Sequence, residues 1–197
     1  MKNKYNIILA DPAWSYRCKG LSGCADRHYP TMNIKDICTL PVANIAAKDS
    51  VLFLWTTFPI LPEVFEVIKS WGFTYKTVAF VFVKRNRKSL GYFMGMGFWT
   101  RSNAEICLLA TKGQPKRQSR SVHQLIVSPL EAHSKKPDIA RDKIIQLMGN
   151  LPRVELFARQ TPADWDVWGN EVESTIPKWL DNNIVYSTNT DKLQQRN

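Results

Sequence analysis

A carboxylate, a proline carbonyl and an indole follow one another in Asp11-Pro12-Ala13-Trp14. This trio suits one kind of chemistry. An exocyclic amino group on a nucleobase is a poor nucleophile, because its lone pair is delocalised into the ring. The Asp11 carboxylate and the Pro12 carbonyl can each accept one of its N–H bonds, which favours a more tetrahedral nitrogen with its lone pair aimed outward. An aromatic face such as Trp14 can stack on the base, worth roughly 1–3 kcal/mol. The same four residues also read as a plain turn beside a core aromatic, so the surrounding elements decide.

Those elements must hold the trio at an edge. Tyr5 to Ala10 is a short apolar run with Ile7, Ile8 and Leu9 at its heart, the pattern of a strand buried in a parallel sheet. Pro12 lacks a backbone donor and disfavours helix for Asp11, so the strand stops there. In open α/β sheets ligands bind at the carboxyl ends of strands. Further strands are expected over 51–55, 75–83 (Val78, Phe80 and Phe82 on one face), 105–111, 153–157 and 165–168, with an edge strand over 122–127. Asn33 caps a short helix through Cys38. Leu61, Phe65, Ile68 and Trp71 form the core stripe of a second helix that Gly72 ends. A third opens at 133–138 with Pro137 as its first residue and runs to Gly149. Alternating strands and helices predict an α/β sheet with helices on both faces.

Composition narrows the class. The 197 residues suit one domain, expected over 1–172, followed over 173–197 by a tail that is partly packed and then frayed. Lys and Arg number 27 against 17 Asp and Glu, a net charge of +10, which points to a polyanion, nucleic acid first and an anionic membrane second. Cys18, Cys24, Cys38 and Cys107 form no C-x-x-C pair. That spacing argues against a disulfide framework or a zinc site, and for reduced cytoplasmic thiols with no metal. No stretch approaches about 18 apolar residues, and Met1 to Tyr5 lacks the apolar run of a signal peptide, so no membrane partner is expected.

Two stretches look made for a ligand. The polar, glycine-containing segment from Ser15 to Asn33 ends in His28-Tyr29-Pro30-Thr31-Met32, the composition of a lid or of a plain surface loop. Lys84-Arg85-Asn86-Arg87-Lys88 leads into Leu90 to Arg101, where glycines alternate with aromatics and methionines. Basic residues interleaved with aromatics fit a nucleic-acid surface, through phosphate neutralisation and base stacking. Lys135 and Lys136 at a helix start offer an anion site, although the same residues also read as simple capping.

Together these motifs resemble the MT-A70 family of adenine-N6 methyltransferases, a circularly permuted, beta-class-like branch of the Rossmann-like S-adenosylmethionine-dependent methyltransferases. Asp11-Pro12-Ala13-Trp14 is similar to the family's Asp-Pro-Pro-Trp, with alanine at the third position leaving Asp11, the Pro12 carbonyl and Trp14 in place. His28 to Met32 resembles the lid. Lys84 follows a strand as the family's lysine does. Glu105-Ile-Cys-Leu with Lys112-Gly113, Ser134-Lys-Lys-Pro-Asp138, Glu155-Leu-Phe-Ala-Arg159 and Gly169-Asn170-Glu171 follow in family order, over roughly 5–172.

The resemblance implies a mixed, mostly parallel sheet, S-adenosylmethionine as cofactor and the N6 amine of adenine as acceptor, with DNA favoured over RNA. The compact size and lack of any appended domain suggest a bacterial or phage enzyme, in the cytoplasm of the bacterial or phage-infected cell, with a homodimer or a partner subunit as further options. Asp11, with Ala10 before it, would sit between the cofactor and the amine, and Pro12 and Trp14 would complete the catalytic trio. Lys136, next to Ser134, would pair with the cofactor carboxylate. Phe157, Arg159, Asn170 and Glu171 would surround its adenosine. Tyr29 would close over the site and Trp14 would stack on the adenine. Lys84, Arg85, Arg87, Lys88 and Arg101 would hold the nucleic acid. Cytosine-N4 methylation and a catalytically inert nucleic-acid-binding homologue stand as the rival readings.

Overall fold

A computed structural model describes residues 4–15, 31–97, 99–132 and 134–176. Its elements in chain order are β1 (Tyr5–Ala10), α1 (Ile34–Thr39), β2 (Ala46–Thr56), α2 (Leu61–Ser70), β3 (Thr74–Arg85), β4 (Glu105–Lys112), β5 (Leu125–Pro129), α3 (Ile139–Met148), β6 (Arg153–Leu156) and β7 (Asp166–Trp168). The seven strands form one sheet in the order β5-β3-β4-β2-β1-β6-β7. β1 has a parallel neighbour on each side, β2 and β6, which is why its sequence from Ile7 to Ala10 is apolar and buried. β4 runs antiparallel to β2 and β3, and every other pairing is parallel. The sheet is therefore mixed and mostly parallel, as expected.

This topology gathers the chemistry at one edge. The carboxyl ends of the six parallel strands face the same way. Because β4 is reversed, its first residues meet the last residues of β2, with Thr56 opposite Ile106. Asp11, Thr57, Lys84, Glu105, Leu130, Phe157 and Gly169 therefore share that edge.

Side chains alternate along the strands into two apolar layers. Ile8, Leu52, Leu54 and Leu108 pack with Ile37 of α1 and Val64, Val67 and Ile68 of α2. Ile7, Leu9, Phe53, Trp55 and Cys107 pack with Ala140, Ile144 and Met148 of α3 on the opposite face. Burial of each large apolar side chain stabilises by roughly 1.5–3 kcal/mol, so both faces must be covered. The Trp71 indole N–H donates to the Ile37 carbonyl at 2.9 Å and ties α2 to α1.

Several expectations shift by a turn or a face. Phe65 lies outside the α2 stripe, exposed and edge-on to Tyr75 at 5.1 Å. Val64 and Val67 take its place, completing the i, i+3, i+4, i+7 set with Ile60, Ile68 and Trp71. In β3 the register slips between Val78 and Phe80. The bulge sends Val78 to the α2 layer while Phe80 and Phe82 enter the α3 layer. Helix α3 begins at Ile139 rather than Pro137, whose carbonyl accepts the Ala140 N–H at 3.0 Å. β5 begins at Leu125 rather than Val122. β6 stops at Leu156 because Phe157 adopts a left-handed φ of 62°.

Of the expected tail, Thr175 bonds Val167 and Ile176 is buried; the remainder from 177 lies outside the described residues. No helix among the described residues is long and apolar enough to cross a membrane.

Candidate active site at the carboxyl edge of the sheet

Asp11 is the first residue beyond β1. The turn after it is closed by the Trp14 N–H donating to the Pro12 carbonyl at 2.8 Å. That carbonyl is therefore not free, as the bare sequence suggested; it keeps only its second lone pair for a ligand. Trp14 is buried, and its indole N–H donates to the Trp55 carbonyl at 3.0 Å. The ring is thus a fixed part of the cavity wall. Main-chain bonds from Met32 to Ala13 (2.8 Å) and from Ser15 to Met32 (3.1 Å) bring together the two flanks of segment 16–30. Tyr29, expected as its lid residue, lies outside the described residues.

Opposite Asp11 stands Lys136. Its ammonium lies 2.8 Å from Asp11 Oδ2, 3.1 Å from Glu105 Oε2 and 3.1 Å from the Ser134 carbonyl, and so engages all three donors. Glu105 also pairs with Lys84. The result is a chain of alternating charge, Asp11, Lys136, Glu105, Lys84. Burial raises the Asp11 pKa above its ordinary value and outweighs the opposing pull of Lys136. Burial also works to raise Glu105, but Lys136 and Lys84 together hold it below the usual carboxylate range. Burial works to lower Lys136, and Asp11 and Glu105 overcome it and hold the ammonium strongly protonated. Burial, then the nearby Asp11 charge, pushes the Cys107 thiol well up, leaving it an inert core residue.

Lys136 is positioned by the start of α3. Arg141 forks onto Glu155 of β6, with Nε 2.7 Å from Oε2 and Nη2 3.0 Å from Oε1. Arg141 also reaches Asp138 at 2.5 Å, and Gln160 reaches the same Asp138 oxygen at 2.7 Å. These bonds fasten the segment carrying Lys136 to the strand beside β1.

A cavity of about 680 Å3 opens at this edge. A second, of about 220 Å3, adjoins it toward α3, and Asp11, Lys136, Phe157, Arg159 and Glu171 wall both. Of the expected site residues, Asp11, Pro12, Trp14, Lys84, Arg87, Ser134, Lys136, Phe157, Arg159, Asn170 and Glu171 line the larger one. Among the described residues, Ser134, Phe157 and Asp164 are the non-glycines with positive φ. Two of them wall this cavity, and backbone strain of this kind clusters at functional sites. Gly169 is required where β7 crosses the turn after β6, because a side chain there would lie 2.2 Å from the Ala158 carbonyl. Arg159 pairs with Glu171 at 2.8 Å across the rim.

Other expected residues fall elsewhere. Ala10 is fully buried and absent from the lining, so only its backbone is near. Lys84 points inward to Glu105 rather than outward as a phosphate contact. Arg87 lines the mouth, its Nε donating to the Leu130 carbonyl at 2.6 Å. Arg85, Lys88 and Arg101 are exposed outside the mouth. Glu105, Arg141 and Glu155 had not been singled out for the site. For Glu105 a signal was present, because it opens the apolar run of β4 and buried charges come paired; Arg141 and Glu155 stand among other charges in α3 and β6.

Comparison with known proteins places the chain in a family. The MT-A70 family model matches residues 5–171. A Type II methyltransferase, M.MunI from Mycoplasma sp, is 35% identical over 191 residues, 87% of this chain and 79% of that protein. A putative N(6)-adenosine-methyltransferase MT-A70-like protein of Medicago truncatula is 30% identical over 86% of this chain and 26% of its own length. The N(6)-adenosine-methyltransferase catalytic subunit METTL3 of Homo sapiens is 25% identical over 86% of this chain and 28% of its own length. The chain thus spans most of the Mycoplasma protein but about a quarter of the plant and human ones. Matched by the family model over 5–171 and 35% identical to a relative over most of both chains, this chain belongs to the MT-A70 family.

Proposed function

We propose that the chain transfers a methyl group from S-adenosylmethionine to the exocyclic N6 amine of adenine in DNA. The observation that carries this reading is the position of Asp11, which walls both parts of a cavity with room for two ligands. Adenine-N6 chemistry follows the relatives named for it. DNA is favoured because the Type II methyltransferase is the relative matched over most of both chains.

The residues present fit the cofactor. Lys136 offers an ammonium to its carboxylate, Glu171 offers acceptors to ribose hydroxyls and Phe157 offers an aromatic edge beside them. When bound, the cofactor supplies an electrophilic methyl on a cationic sulfur. Lys136 has no spare donor, so a bound carboxylate displaces an acceptor. The neutral Ser134 carbonyl at 3.1 Å is held less strongly than the two charged partners. Asp11 accepts one N–H of the amine, and the second lone pair of Pro12 accepts the other. Trp14, locked by Trp55, presents a wall against which the adenine lies. Catalysis of this kind is positioning and electrostatics, without a covalent intermediate on the protein. The free thiols of Cys38 and Cys107 suit the reducing cytoplasm of a bacterial or phage-infected cell.

The test is transfer from methyl-labelled S-adenosylmethionine to duplex DNA, single-stranded DNA and RNA, followed by digestion to nucleosides. Label in N6-methyladenine from DNA is the expected result. Label in N4-methylcytosine, or in RNA alone, overturns the acceptor; cofactor binding with no label on any polymer overturns the activity of the chain acting alone.

A further inference from the structure

Beside the cavity mouth the chain makes a long excursion between β3 and β4, and its apolar residues point the wrong way for a stable core. Leu90 is 93%, Met96 83% and Trp99 99% exposed, and Tyr92 and Met94 are exposed as well. Single exposed apolar residues are ordinary, but five in one loop form a patch that calls for a partner.

The arrangement is built. From 92 to 97 burial alternates: Tyr92, Met94 and Met96 face out, while Phe93, Gly95 and Gly97 face in. A side chain at Gly95 would lie 2.9 Å from the Ser102 carbonyl, and one at Gly97 2.0 Å from the Thr100 carbonyl. The glycines thus let the returning arm pack tightly behind an outer row of large side chains. Asn103 pins the root, accepting the Lys84 N–H at 2.9 Å and donating both to the Lys84 carbonyl at 2.9 Å and to the Phe93 carbonyl. The Gly95 N–H donates to the Ser102 carbonyl at 2.7 Å.

Its surroundings identify the partner. Arg85, Lys88 and Arg101 are exposed around the root, and Arg101 touches Met96 with Nη1 3.8 Å from Sδ. On the inner side, Phe93 and Arg87 line the cavity itself. An apolar row flanked by cations, with its back to the pocket that takes the base, matches the chemistry of a stacked, phosphate-bearing duplex. Methionine and leucine are typical of side chains that enter base steps. A base buried in a duplex must also leave the stack to reach such a cavity.

We propose that the ridge formed by Leu90, Tyr92, Met94, Met96 and Trp99 is a wedge that enters the base stack of duplex DNA beside the target adenine and fills the space it vacates. The proposal rests on the DNA-methylation reading above.

The test uses Leu90→Ser/Met94→Ser/Met96→Ser/Trp99→Ser and genomic DNA from a methylation-deficient bacterium, native and heat-denatured. The measured quantity is the ratio of initial methyl transfer on native to that on denatured DNA. Breaking a base pair and opening the paired stack is a cost of the duplex, largely absent in denatured DNA, so the variant's ratio should fall about tenfold or more. A ratio within about twofold of the unsubstituted protein's overturns the wedge, as does an unsubstituted protein that acts on denatured DNA only. Equal loss on both substrates, together with a smaller particle by light scattering, assigns the ridge to contact between copies of the chain and also overturns the wedge. If the unsubstituted protein methylates neither substrate, the methylation reading fails and the wedge with it. A retained rise in Tm with S-adenosylmethionine shows that the variant is folded.

Discussion

Lys136 and Asp11, 125 positions apart in the chain, meet with Nζ 2.8 Å from Oδ2 at the edge of the sheet. The pair joins the α3 start to the β1 end, and Glu105 extends it to Lys84. Its members are mutually dependent, because each charge is held away from water by the others' elements.

Asp11→Ala should lower kcat by at least about a hundredfold, the scale for losing one well-placed polar group, with an unchanged circular dichroism spectrum. Turnover near that of the unsubstituted protein would remove Asp11 from the chemistry.

Lys136→Met should destabilise the fold by up to about 3–5 kcal/mol at neutral pH, because the half-buried Asp11 loses its counterion and Glu105 keeps only Lys84. Without it, burial acts on Asp11 unopposed and lifts it further above its ordinary 3.8, so ionising it as pH rises costs the folded state. The deficit should be larger at pH 7 than at pH 4 in urea denaturation. A pH-independent deficit would mean that the lysine acts through packing alone. Cofactor affinity should fall more than affinity for DNA, as separate binding titrations would read.

Glu105→Gln should flatten the acid limb of the stability curve. In the native protein the Glu105 pKa is lowered, so its contribution is complete above the ordinary 4.5 and is lost as pH falls below it. Lys136 behaves oppositely: its raised pKa gives a contribution present below the ordinary 10.5 and lost as pH rises past it. A variant whose acid limb matches the unsubstituted protein's would place Glu105 outside the network's energetics.

Arg85→Gln/Lys88→Gln/Arg101→Gln should weaken DNA binding and reduce the steepness of its salt dependence. Each lost phosphate contact removes about 0.9 from the slope of log K against log salt. An unchanged slope would move the phosphate-binding face elsewhere.

Gly169→Ala should cost about 1–3 kcal/mol, the usual penalty of overpacking, because the new methyl meets the Ala158 carbonyl at 2.2 Å. Relief of that clash must shift Phe157 and Arg159, so the Tm gain from S-adenosylmethionine should shrink as well. A variant with unchanged Tm and unchanged ligand gain would show that the crossing yields freely.

Much of this was legible in the residues. The mostly apolar run of β1 ending at Asp-Pro places a carboxylate at a sheet edge from sequence alone, and the structure puts Asp11 there. What escaped was set by tertiary contacts. Trp14 looked like a free stacking face until its N–H met the Trp55 carbonyl, 41 positions away. Lys84 read as one of a basic run facing nucleic acid, whereas the bulged β3 and reversed β4 turn it toward Glu105. Phe65 and Val64 compete for one helical stripe, and only the neighbouring Tyr75 shows which lies outside.

The central placement of β1 also has a consequence for biosynthesis. β1 is made first, but its neighbour β6 and the residue that neutralises Asp11 come from the last third of the described chain. While a ribosome is still making the middle of the protein, the first strand must wait with one side unpaired and its carboxylate uncompensated. The Asp11–Lys136 pair therefore exists only after the segment carrying Lys136, α3 and β6 has docked beside β1.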